Sequence, residues 1–156
     1  MIISMGFVAP AFCARFKERT MRDWTPRQIK MVTDCYDRDI NLSVWSSCPR
    51  VKGAERIGFA SLKEPPYKQN IKDIFKHGLF NSTYLAEGFG YMDDKNNSLW
   101  NGFHNLAGTL DKEFTILNFN PNPTPEANAK YTTPEMISKY RIKLQKWMND
   151  QVRTVA

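Results

Sequence analysis

Apolar and polar positions change rhythm several times along this chain, and each change marks an element. Residues 2–8 gather Ile2, Ile3 and Val8 around Gly6 and read as a strand. Pro10 suits the first turn of a helix over Ala11 to Glu18, with Phe12, Arg15 and Phe16 on neighbouring faces. Such a helix would present Arg19, Thr20 and Arg22 together just past its end. Thr25-Pro26-Arg27 is a cap followed by proline at the first helical position, opening a segment with Ile29, Met31 and Val32. From Ile40 the period becomes two, with Ile40, Leu42, Val44 and Ser46 on one face and Trp45 on the other.

Ser47 to Gly53 is a turn containing Cys48-Pro49-Arg50, and Arg56 to Leu62 is a strand that Pro65-Pro66 ends. Short helices or turns follow at Asn70 to His77 and at Asn81 to Glu87, the second closed by Gly88. Asp93 to Ser98 is a polar loop, ahead of a helix carrying Leu99, Trp100, Phe103 and Leu106. Glu113 to Phe119 alternates as a final strand, stopped by Pro121 and Pro123. After a Pro/Asn-rich linker over 121–132 comes an amphipathic helix over 133–152. Met136, Ile137, Tyr140, Leu144, Trp147 and Met148 form its stripe, with Lys139, Arg141, Lys143 and Lys146 opposite.

A chain of 156 residues with 42% hydrophobic positions can bury one core without a metal or disulfide staple. The three cysteines, Cys13, Cys35 and Cys48, are too scattered for a zinc motif and read as free thiols in a reducing compartment. No cofactor or metal is expected. No stretch approaches eighteen apolar residues, so a cytoplasmic protein without a membrane partner is expected.

The formal charge of +6 makes a polyanion the first candidate partner. The basic run between Arg15 and Trp24 holds four cations, a hydroxyl and an aromatic in ten residues. Arg19 and Arg22 are candidate phosphate or base-edge ligands, because guanidinium groups bond in bidentate fashion. Arg15 and Lys17 add less directed charge, Trp24 is a candidate stacking ring, and Arg50 and Lys52 are candidates to touch the sugar-phosphate backbone. Glu87, alone in an apolar, glycine-rich setting, can accept from a base, pair with Arg19, or act as a catalytic carboxylate.

Three blocks make the chain resemble the ASCH domains of the PUA-like superfamily. They are Lys17-Glu18-Arg19-Thr20-Met21-Arg22-Asp23-Trp24, similar to a Lys-Thr-x-Thr-Arg-Arg segment; the strand, turn and strand from Val44 to Gly58; and Tyr84-Leu85-Ala86-Glu87-Gly88-Phe89, with Trp100, Phe103 and the strand Phe114 to Phe119. They cover residues 1–120. The resemblance implies an α+β fold, a small PUA-like β-barrel with peripheral helices and a cleft, here with a C-terminal helical extension. It implies binding of RNA or single-stranded DNA, and it suits a phage or mobile-element accessory protein. One enzymatic branch removes the acetyl group of N4-acetylcytidine with a lysine, a threonine and a glutamate. Carried over, the lysine falls on Arg19, the second threonine on Arg22 and the glutamate on Glu87, while Thr20 matches the first threonine. An arginine is a poor general base and no nucleophile, so this alignment favours a nucleic-acid reader over an amidohydrolase. Were the chain an enzyme, Glu87 and Thr20 would be its catalytic residues. A ribonuclease using Glu87 or His104, and a protein partner for the basic C-terminal helix, are the other readings.

Overall fold

The longest strand, β6 (Glu113–Pro123), organises the sheet. The structure, a computed structural model, describes residues 1–76, 80–89 and 111–155. One edge of β6 pairs antiparallel with β4 (Arg56–Leu62) along its second half and with β5 (Tyr67–Asn70) along its first. Its other edge pairs with β2 (Arg19–Arg22). Beyond β4 lies β3 (Leu42–Trp45), and beyond that β1 (Ile2–Ser4), the one parallel partner. The order β1-β3-β4-β6-β2, with β5 beside β6, makes a small α+β domain whose sheet curls without closing.

Alternation assigns the two faces. Ile3, Leu42, Val44, Ile57, Ala60, Leu117 and Phe119 turn inward. Helix α1 (Ala9–Cys13) lays Phe12 and Cys13 on them, and α2 (Pro26–Asp37) adds Val32 and Cys35. Each large aliphatic or aromatic group so buried contributes about 1.5–3 kcal/mol. α2 begins with the expected cap: Gln28 N–H donates to the Thr25 hydroxyl, and the Gln28 side chain pairs back to the Thr25 N–H. Two short helices, α3 (Ile71–Lys76) and α4 (Phe80–Ala86), follow β5.

Five expectations change, the first being the strand read over 2–8, which ends at Ser4 and gives way to a 3-10 turn at Gly6–Val8. The helix read as Ala11 to Glu18 ends at Cys13, and Arg19 to Arg22 is a strand rather than a post-helical loop. The strand read as stopping at Phe119 continues through Pro121 and Pro123. Phe119 N–H points to Glu18 O, away from β4, so by alternation both prolines turn their nitrogens to that side, past the end of β2, where no donor is needed. The 121–132 segment read as a linker therefore holds the end of β6 and a helix, α5 (Pro125–Tyr131), capped by Thr124. Asn128 of α5 donates to Cys13 O, tying it to α1.

The C-terminal helix, α6 (Pro134–Val155), starts at the expected Thr133 cap. It meets the domain through Tyr140, whose ring stands edge-on to Phe16 at 5.4 Å. Ile142 and Met148 are exposed. No helix among the described residues is long and apolar enough to cross a membrane. The expected loop at 93–98, the helix carrying Leu99, Trp100, Phe103 and Leu106, and both histidines, His77 and His104, lie outside the described residues.

Candidate functional site

The site begins where α1 ends. Phe16 N–H donates to Ala11 O and Arg15 N–H to Phe12 O, with Arg15 in the left-handed region at φ +67°. This is a Schellman closure built on an arginine instead of glycine. It reverses the chain and turns Lys17 inward, where the side chain is 1% exposed. Glu18 N–H then donates to Ala86 O at the end of α4, so the strand leading into β2 runs beside that helix.

α4 supplies the counter-charge. Glu87 N–H closes on Thr83 O, and Gly88 turns at φ +93°. A Cβ on Gly88 would stand 2.6 Å from Ala11 Cβ and 3.4 Å from Lys17 Cβ, so only glycine lets α4 approach α1 this closely. The approach brings Glu87 to Lys17. Lys17 Nζ donates to Glu87 Oε2 at 2.6 Å and to Glu87 O at 3.1 Å. The other carboxylate oxygen, Oε1, accepts from Met21 N–H at 2.7 Å, satisfying a donor on the outer edge of β2. Burial pushes the Lys17 ammonium below its ordinary value of 10.5. Glu87 opposes this through charge and hydrogen bond, while the Arg22 charge adds to it.

Thr20, 3% exposed, follows on the inward face of β2 opposite Leu117. Its Oγ1 accepts from Arg22 Nε at 2.9 Å, and Arg22 Nη2 donates to Ser4 O at 2.7 Å. Burial lowers the Arg22 pKa against the raising effect of Glu87, yet a guanidinium stays charged. A cavity of about 370 Å³ lies between β1 and β2, the two edges of the open sheet. Ser4, Met5 and Gly6 wall one side and Thr20 and Arg22 the other, with Lys17, Glu87 and Phe89 completing the lining. That volume falls at the lower end of the range of small-molecule sites.

The basic run does not act as one patch. Lys17, Thr20, Arg22 and Glu87 meet at the cavity, but Arg15 is exposed on the turn after α1. Arg19 lies on the opposite face of β2. Its Nε donates to Asn118 Oδ1 at 2.7 Å and its Nη1 to Thr83 Oγ1 at 3.0 Å. Trp24 is half-buried against the core. Arg50 and Lys52 are exposed on the turn between β3 and β4. The cation on Glu87 is thus Lys17, not Arg19. Sequence reading gave Lys17 only a surface role because the α1 pattern ran on without a break.

Among the described residues no cluster of three His, Cys, Asp or Glu could hold a metal ion. No family model, curated protein or solved structure matches this chain.

Proposed function

We propose that this chain is a small amidohydrolase that cleaves the acyl group from an N-acylated pyrimidine nucleoside, on a PUA-like fold of the ASCH type. One observation carries the reading: a fully buried lysine paired to a glutamate lines the same cavity as an arginine-bound threonine. Surface solubility explains none of these groups, and a buried ion pair is an expensive way to hold a fold together. Counting the Lys-Thr-x-Thr-Arg-Arg pattern from Lys17 puts its second threonine on Thr20 and its last arginine on Arg22. That alignment removes both chemical objections raised by counting from Arg19. The curled open sheet supports the fold assignment.

In the reaction, Thr20 Oγ attacks the acyl carbonyl carbon while its proton passes to the neutral amine of Lys17. Burial, which lowers the Lys17 pKa against the opposing pull of Glu87, favours that neutral form in the reacting state, and Glu87, itself pinned by Met21 N–H, holds the nitrogen in place. Arg22 steadies the developing negative charge on Thr20. The C–N bond then breaks, the leaving amino group takes the proton back from Lys17, and the acyl group remains on Thr20. Water then gives a proton to Lys17 and attacks the ester carbonyl; the C–O bond to Thr20 breaks, Lys17 returns the proton to Thr20 Oγ, and a carboxylic acid leaves.

N4-Acetylcytidine is the test substrate, with release of cytidine and acetate followed by chromatography. Turnover by the intact protein is expected, falling by about 100-fold or more in Lys17→Met and Thr20→Val. Thr20→Ser should retain activity. Absence of turnover on N4-acetylcytidine and its N-acyl analogues by a folded protein would overturn the proposal.

A further inference from the structure

The sheet face turned away from the core carries a second feature, independent of the cavity. The register Ile2, Ser43, Phe59, Asn122 runs across four strands, with Ser4, Trp45, Arg56 as the neighbouring row. Their chain neighbours Ile3, Val44, Ile57 and Ala60 are buried, which fixes this as the outer side. Ile2 is 51% exposed and Phe59 38%. The Arg56 guanidinium lies over the Phe59 ring, 4.9 Å from its centroid. Trp45 is half-buried, its indole N–H donating to Ser43 Oγ at 3.2 Å. From the end of the same two strands projects the turn with exposed Arg50 and Lys52.

One exposed apolar residue on a surface needs no explanation. Here a phenyl ring, an oriented indole and three cations share the β3–β4 pair and the turn that joins it, with the aliphatic Ile2 beside them on β1. We infer that this face is a stacking platform for single-stranded nucleic acid. Trp45 offers a flat surface to one base, and the Arg56 guanidinium held over the Phe59 ring presents a cation to the next. Arg50 and Lys52 stand where phosphates leave the platform. A second copy is a poorer occupant, because a two-fold contact would set these cations against their own counterparts. An acidic protein would match the charge but make no use of the oriented rings.

The test is fluorescence anisotropy of the intact protein with a labelled ten-nucleotide uridine RNA, at low and near-physiological salt. Phe59→Ala should weaken binding about tenfold, as loss of one stacked base predicts. Phe59→Leu, which keeps apolar volume without the ring, should do the same and covers the case in which the alanine variant does not fold. The Arg50→Ala/Lys52→Ala pair should reduce the salt slope by about 1.4, at ~0.7 per phosphate. Lys30→Ala on α2 should leave the affinity unchanged. The inference is overturned by no binding at low salt, by binding indifferent to both Phe59 variants, or by equal affinity for a polyglutamate peptide. A dimer that Phe59→Ala dissociates would also overturn it, making the face a subunit contact.

Discussion

The Arg22 guanidinium reaches the Ser4 carbonyl at 2.7 Å, joining the two end strands, β2 and β1, of a sheet that does not close by backbone pairing among the described residues. The same side chain holds Thr20 Oγ1 at 2.9 Å. One residue thus spans the open side of the curl and orients the proposed nucleophile, both within the cavity lining. Lysine cannot reproduce this planar fork. Arg22→Lys should therefore lose about 1.5–3 kcal/mol of stability and most of the turnover, read by thermal denaturation and by kcat on N4-acetylcytidine. Wild-type values for both would show that the fork is dispensable.

Stability and chemistry separate at the Lys17–Glu87 pair. Glu87→Leu leaves a buried ammonium without its counter-charge and should cost about 3–5 kcal/mol. Adding Lys17→Met removes that charge, and the double variant should recover most of the loss in a urea titration while remaining inactive. Recovery of turnover along with stability would exclude both residues from the reaction.

Lys17 also predicts a pH dependence. Its folded pKa lies below the ordinary 10.5, so between the two values the unfolded chain binds the extra proton. Stability from this group therefore rises with pH across that window. It is level below the window, where both states are protonated, and level above 10.5, where neither is. Activity should rise in the same direction and reach its plateau before 10.5, with the limb belonging to the coupled pair. A kcat/KM profile still climbing at 10.5 would contradict a neutral-lysine base.

Arg19 acts at one remove. By joining Asn118 of β6 to Thr83 of α4, it clamps the helix whose next turn carries Glu87 onto the sheet that carries Thr20. Arg19→Met should lower kcat about tenfold with KM little changed, and shift the rising limb of the pH profile as Glu87 moves relative to Lys17. Arg19→Lys should rescue only part of this. An unshifted pH profile would leave Arg19 a purely structural residue.

Arg15 occupies a conformation that disfavours a side chain by about 1–2 kcal/mol. Arg15→Gly relieves that strain against glycine's own entropy cost of about 0.5–1 kcal/mol. A net gain of roughly 2–3 °C in Tm is expected by differential scanning calorimetry. A lower Tm would mean that the arginine side chain stabilises the turn.

That residue also explains how far the site could be read in advance. The Thr25 cap, the Leu42–Val44 alternation of β3, the Arg56–Leu62 strand, the Gly88 turn and the Thr133 start are local signals and stand where the pattern puts them. Ile40, by contrast, read onto the same face as Leu42, is exposed ahead of β3. At the end of α1 the usual glycine is missing, so the helix read through to Glu18 and the cations after it read as one surface cluster. Pro121 and Pro123 misled in the opposite direction, because whether a proline breaks a strand depends on which edge its nitrogen faces.

The sequence by itself determined the alternating strands, the capped helices and the presence of a lysine, a threonine, an arginine and a glutamate, since periodicity and capping act over a few residues. Tertiary structure alone decided which cation meets Glu87, because Lys17 and Glu87 are 70 positions apart. Their meeting follows from a left-handed turn at Arg15 and the close approach of α1 to Gly88, two backbone events that side-chain pattern does not encode.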